Sequence, residues 1–174
     1  GADPQNVTSK VLRAIHMLDR SDIAIDVVIG NLNPYHDEIK THASHMPNTN
    51  CHLNVENMAE MMTAADLCIG GCGTATWERC YLGLPSIVLV LAENQRKIAE
   101  NLDDEGAIIN LGWCQNVKES SITECISELI NNPEKKQSMT DKSRNLVDGE
   151  GVSRVVDTIT FIIGDINKYE FTLK

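Results

Sequence analysis

The feature that most constrains this chain is its alternation of short aliphatic or β-branched runs with helix-spaced segments. Ile23 to Ile29 is nearly all apolar and stops at Gly30, which predicts a strand buried on both faces. Cys51 to Val55, Leu67 to Gly70, Ser86 to Leu91 and Ala107 to Leu111 read as further short strands, each separated from the next by a helical stretch. Strands and helices at this pitch imply a parallel sheet covered on both faces, the doubly wound, Rossmann-like α/β architecture.

Local punctuation places the helices. Asp3-Pro4 reads as an N-cap with proline at the first helical position, and Val11, Leu12, Ile15 and Leu18 then recur at helical spacing, so a helix starts close to Gly1. Asn33-Pro34 repeats the device for a helix through about His45. Asn57 with Glu60 forms a capping-box pattern for a helix through about Ala65. Thr74 to Leu82 is helical and is stopped by Gly83 ahead of Pro85, and Gln95 to Glu105 is halted by Gly106. Ser121 with Glu124 and Asn132-Pro133 open two more helices. Val152, Val155, Val156, Ile159 and Ile163 mark a last amphipathic helix, followed by a polar tail from Asp165 to Lys174. The 174 residues suit one domain. A helix capped at residue 3 has no strand before it, so the first, central strand of the sheet is expected to lie upstream.

Charge narrows the partners. A formal net charge of −10 argues against a nucleic-acid surface, so an anionic ligand has to be held by local, directional donors. No apolar run reaches the roughly 18 residues of a membrane span. The six cysteines show no repeating framework and several sit in apolar runs, which reads as reduced thiols and a cytoplasmic setting. Cys68, Cys72 and Cys80 lack the paired short spacing of a zinc site, so no metal is expected. His36, His42 and His45 fall on one helix with no acidic partner or third ligand evident in the sequence, and they read as surface residues.

The stretch Gly70-Gly71-Cys72-Gly73-Thr74 lies at the carboxyl end of a strand and opens a helix, which is where open parallel sheets bind ligands. Glycines let backbone approach an anion, the first helical amides are unpaired, and Thr74 and Thr76 add hydroxyls. A glycine corner serving only close helix-on-sheet packing explains the run equally well. The Walker lysine and the full dinucleotide spacing are both missing. Glu78, one turn beyond Thr74, suits a pair of ribose hydroxyls, or else a solvated carboxylate or a partner for Arg79. Glu93-Asn94-Gln95 follows the next strand and suits sugar hydroxyls or a helix cap.

Several segments resemble one family: Gly1 to Thr8, Val28-Ile29-Gly30 with Asn33-Pro34, Asn57 to Glu60, and above all "GGCGTATWERCYLGLPSIVLVLAENQ" (Gly70 to Gln95). They are similar to the UDP-sugar hydrolase of pseudaminic acid biosynthesis and the spore-coat polysaccharide proteins related to it, which are in turn similar to the lipid-linked GlcNAc transferase of peptidoglycan synthesis. The resemblance implies the C-terminal half of a glycosyltransferase-B fold. It implies a UDP-sugar ligand, with Asp3, Asn6, Gly30, Gly71, Gly73, Thr74 and Ala75 toward the diphosphate. Val55 and Met58 would flank uracil, Glu78 would hold the ribose, and Glu93, Asn94 and Gln95 would face the sugar. It also implies hydrolysis at the anomeric carbon without a cofactor; transfer to an acceptor, or binding without catalysis, are the alternatives. The family's proposed catalytic histidine belongs to an N-terminal domain, so this chain is expected to bind without turnover. Cys72 stands where a small residue such as alanine is expected, which suggests sensitivity to oxidation.

Overall fold

The computed structural model describes residues 2–170, and side chains are described through residue 163. Five strands appear among them: β1 (Ile25–Ile29), β2 (Thr49–Leu53), β3 (Cys68–Gly71), β4 (Ser86–Val90) and β5 (Ile109–Trp113). All pairings are parallel. The helices between and after them are α1 (Val7–His16), α2 (His36–Ser44), α3 (Met58–Ala64), α4 (Ala75–Leu82), α5 (Glu93–Asp104), α6 (Glu119–Ile130), α7 (Pro133–Leu146) and α8 (Gly151–Glu170). The α/β fold read from the sequence is therefore the fold observed.

Strand β4 shows why this alternation must fold in layers. Every one of its residues is buried, so it sits between two helical faces. Ile87 and Leu89 point into a cluster with Ile122, Ile126 and Leu129 of α6. Val88 and Val90 point the other way, against Ala99 and Leu102 of α5 and Cys80 of α4. The period-2 geometry of a strand thus feeds two cores at once, each such side chain contributing about 1.5–3 kcal/mol of burial.

The strands form two sheets, β1-β2 and β3-β4-β5. Helix α1 packs on both: Leu12 joins Val27, Ile29, Ile39 and Met46, whereas Val7 and Ala14 join Ile87 and Leu89. Among the described residues no helix is long and apolar enough to cross a membrane. Helix α8 keeps Val152, Val155, Val156, Ile159, Ile162 and Ile163 at least half exposed.

Several local expectations shift. Helix α1 begins at Val7, because Asn6 is in the left-handed region at φ 51° and the chain turns between Asp3 and Asn6. The Asn33-Pro34 pair makes a turn, with the Asn33 side chain accepting from the Tyr35 amide at 2.8 Å, and α2 starts only at His36. The Asn57–Glu60 capping box does not form; their side chains bond each other at 3.2 Å. Helix α6 starts at Glu119, ahead of Ser121, with no side-chain cap. Strand β1 is buried on one face only, since Asp26 is exposed and meets His52 Nε2 at 2.7 Å across the β1-β2 pair. His36 also has an acidic neighbour, Asp37 at 3.4 Å, in an exposed contact of little energetic weight. Helix α8 continues through much of the expected polar tail, of which 171–174 lie outside the described residues. Two caps do form as read: Asn132 accepts from the Lys135 amide at 2.9 Å, and Gly83 ends α4 at φ 71°.

Candidate functional site

The site is built where β3 and β4 end side by side. Strand β3 stops at Gly71, and the Gly71–Cys72 peptide is held from both sides. Its carbonyl accepts from Arg79 Nη2 at 2.8 Å, and its amide donates to Gln95 Oε1 at 3.2 Å. The same Gln95 oxygen accepts from the Leu91 amide at 3.1 Å, so one side chain of α5 ties the two strand ends together.

The glycines divide by what surrounds them. A Cβ on Gly70 would lie 3.0 Å from Arg79 Nη1, and one on Gly71 would lie 2.8 Å from Leu91 Cδ1. At these two positions the space of a Cβ is taken by neighbouring side chains, the plain corner reading. Gly73 differs, because a Cβ there would meet nothing within 4 Å. Its neighbourhood is open.

That openness coincides with unpaired donors. Helix α4 begins after Thr74, whose side chain makes no cap. The amides of Thr76 and Trp77 turn back onto the carbonyls of Gly73 and Thr74. Among the described residues, the amides of Gly73, Thr74 and Ala75 have no protein acceptor. Three orphan donors at the positive end of an uncapped helix favour an anion.

Other expected residues fall variously around this mouth. Glu78 is exposed on α4 and makes no ion pair among the described residues, so its carboxylate is open to a ligand. Arg79, considered as its partner, points inward instead. Thr76 is fully buried and its hydroxyl accepts from Arg79 Nη2 at 2.9 Å, which removes it from the ligand-facing donors expected of it. Cys72 is also fully buried, and desolvation pushes its thiol up, contrary to the expected sensitivity to oxidation. Val55, just ahead of α3, and Met58, its first residue, are half-buried, and α3 packs beside α4. Glu93 is exposed and paired with Arg96 at 2.8 Å, and Asn94 is exposed beside it. Gln95 keeps only its amide nitrogen for a ligand, its oxygen being held by the two loop amides.

The residues placed at the opening helix serve the scaffold. Asp3 Oδ1 accepts from the Val7 amide at 2.8 Å and Oδ2 from the Thr8 amide at 2.9 Å, so the carboxylate itself occupies the amino end of α1. Asn6 Nδ2 donates to Glu38 Oε1 at 2.9 Å. Gly30, just past β1, accepts from the Asn33 amide at 3.0 Å. A phosphate would have to displace Asp3 to use the α1 amides. Among the described residues no group of three His, Cys, Asp or Glu is arranged for a metal ion.

The inward turn of Arg79 and the tie made by Gln95 were not read from the sequence. The one available signal was glycine at 70, which leaves room for a long side chain rising from the next helix.

Comparison with known proteins places the chain in a family. Residues 5–159 match the glycosyltransferase family 28 C-terminal domain. The spore coat polysaccharide biosynthesis protein SpsG of Bacillus subtilis is 28% identical over 171 residues, covering 98% of this chain and 49% of that protein. The UDP-N-acetylglucosamine–N-acetylmuramyl-(pentapeptide) pyrophosphoryl-undecaprenol N-acetylglucosamine transferase of Lactococcus lactis is 33% identical over 98 residues, 53% of this chain and 27% of that enzyme. Among solved structures, Acinetobacter baumannii MurG superposes with a TM-score of 0.76 at 18% identity, over 92% of this chain and 47% of that one. The spinosyn rhamnosyltransferase SpnG, solved with thymidine diphosphate, superposes with a TM-score of 0.67 at 17% identity, over 90% of this chain and 41% of that one. The chain thus spans about half the length of SpsG, with the fold of the C-terminal domain of glycosyltransferase-B enzymes. It belongs to the glycosyltransferase family 28 C-terminal domain family.

Proposed function

We propose that this chain is the nucleotide-sugar-binding half of a glycosyltransferase-B enzyme that transfers a sugar from a UDP-sugar during surface-polysaccharide assembly. The observation that carries this reading is the mouth of α4: three unpaired amides at Gly73, Thr74 and Ala75, an open Gly73, and Glu78 exposed one turn further along. A diphosphate takes the amides and the helix dipole, and the Glu78 carboxylate accepts from the vicinal ribose hydroxyls. Val55 and Met58 flank the base, and Asn94 with the free amide of Gln95 faces the sugar. The anion is held despite the net charge of −10 because its donors are local and directional.

Transfer is preferred to hydrolysis because the curated sequence relatives whose names state a reaction are N-acetylglucosamine transferases. Hydrolysis of a UDP-linked diacetamido sugar at the anomeric carbon is the second reading. It is favoured by the match to SpsG along nearly the whole chain, since the motif resemblance runs through that same group. In both, a separate N-terminal half supplies the acceptor or water side. Two features support such a partner. Among the described residues the β1-β2 and β3-β4-β5 sheets share no strand pairing while α1 packs on both, which suits an additional upstream strand between β1 and β3. The exposed apolar side chains of α8 suit burial against that same half, given that SpsG is about twice as long.

Calorimetric titration with UDP and ADP tests the binding reading. UDP is expected to bind more tightly, and Glu78→Ala to weaken it with the fold intact, a charged-group hydrogen bond being worth about 1.5–3 kcal/mol. Unchanged affinity removes Glu78 from the ribose role. In a protein carrying both halves, UDP release that requires an acceptor marks transfer, and release without one marks hydrolysis.

A further inference from the structure

The family motif contains one cation that the ligand-binding reading leaves unused. Arg79 lies on α4 just after Glu78, yet it is only 4% exposed. Its guanidinium runs back beneath the glycine turn, with Nη2 on the Gly71 carbonyl at 2.8 Å and Thr76 Oγ1 at 2.9 Å, and Nη1 near Cys68 Sγ at 3.5 Å. Its Nε is shielded from solvent and has no hydrogen-bond partner. Among the described residues no carboxylate forms an ion pair with it.

With protein partners alone, this placement is unfavourable twice over. A buried cation without a counter-ion is expensive, and although Arg79 belongs to the last turn of α4, its guanidinium reaches back to Thr76 and the Gly71 carbonyl beside the positive end, where the macrodipole favours anions. Every partner it has is a neutral acceptor. An anion at the mouth of α4 relieves both penalties, and the Gly71 carbonyl, an acceptor beside that mouth, already accepts from Arg79 at 2.8 Å.

We propose that Arg79 is a positioning residue for a nucleotide diphosphate, orienting the Gly71–Cys72 peptide and supplying from below the positive charge that the diphosphate neutralises. This rests on the diphosphate reading of the α4 mouth given above. A staple that merely holds the β3–α4 turn together would use the same hydrogen bonds, so the test must read charge selectivity rather than binding alone.

The experiment compares uridine, UDP and inorganic pyrophosphate binding to the wild type, Arg79→Met and Arg79→Lys. Arg79→Met is expected to lose about tenfold or more in affinity for UDP and pyrophosphate while uridine binding is unchanged, with Arg79→Lys in between. Equal losses for UDP and uridine overturn the Arg79 role and leave the diphosphate site standing. A wild type that takes uridine as tightly as UDP overturns both. Should Arg79→Met not fold, the assigned Arg79 Nε–H signal in the nitrogen-15 spectrum of the wild type decides: it is expected to shift with pyrophosphate and UDP and not with uridine, and a signal that stays still under all three overturns the role.

Discussion

The side-chain oxygen of Gln95 accepts from the backbone amide of Cys72 at 3.2 Å, joining the first turn of α5 to the turn that follows β3. Because the same oxygen also takes the Leu91 amide, one side chain ties together the backbone just past two adjacent, paired strand ends. Gln95→Leu leaves both donors without an acceptor, and each unsatisfied donor costs about 1–3 kcal/mol. Thermal denaturation is expected to show a clear loss. Gln95→Glu retains the acceptors and recovers most of the stability, yet its charge beside the α4 mouth weakens UDP binding in a titration.

The glycines of the turn separate by experiment as they do by geometry. Gly71→Ala forces a methyl group to within 2.8 Å of Leu91 Cδ1, and overpacking of this kind costs about 1–3 kcal/mol. Gly73→Ala meets nothing within 4 Å, so its melting temperature should match the wild type. UDP affinity, by contrast, falls in Gly73→Ala, because the new methyl group stands where the diphosphate approaches. Full UDP affinity in that variant would dissociate Gly73 from the anion site.

Asp3 caps α1 from outside the helix, its two oxygens serving the Val7 and Thr8 amides and also accepting from the Thr8 hydroxyl at 2.7 Å. Asp3→Ala removes the cap at a cost of about 1 kcal/mol. It also frees two amides at a helix N-terminus, so added phosphate should raise the melting temperature of the variant more than that of the wild type. An equal rise in both proteins would show that phosphate does not occupy the vacated cap.

The thiols define a pH and labelling prediction. Burial pushes the Cys125 thiol from an ordinary 9.0 up to about 11, with Glu128 adding to the shift. Cys72, Cys80 and Cys114 are raised in the same direction, first by burial. A raised folded-state value means the protonated thiol contributes stability below pH 9.0 that is lost as the pH rises toward about 11. Thermal midpoints should therefore fall over that window, and Cys125→Ala should flatten the fall. Iodoacetamide on the native protein is expected to modify the half-buried Cys51 and Cys68 first by mass spectrometry. Early alkylation of Cys72 would contradict its burial.

Short-range pattern determined the elements of this protein. The apolar run from Ser86 to Val90 can satisfy itself only between two layers, Gly83 alone accommodates φ 71° without strain at the end of α4, and Asn132 reaches the Lys135 amide three residues on. Such interactions lie within a turn or a strand, so residue type and spacing reveal them. Tertiary structure decided the partners. Arg79 reaches back 8 residues to Gly71, Gln95 reaches back 23 to Cys72, and Asn6 reaches forward 32 to Glu38. Nothing in a local window distinguishes an arginine facing solvent from one folded beneath a glycine turn. The difference lies in the space left by a missing Cβ and in which strand ends the packing of β4 brings side by side.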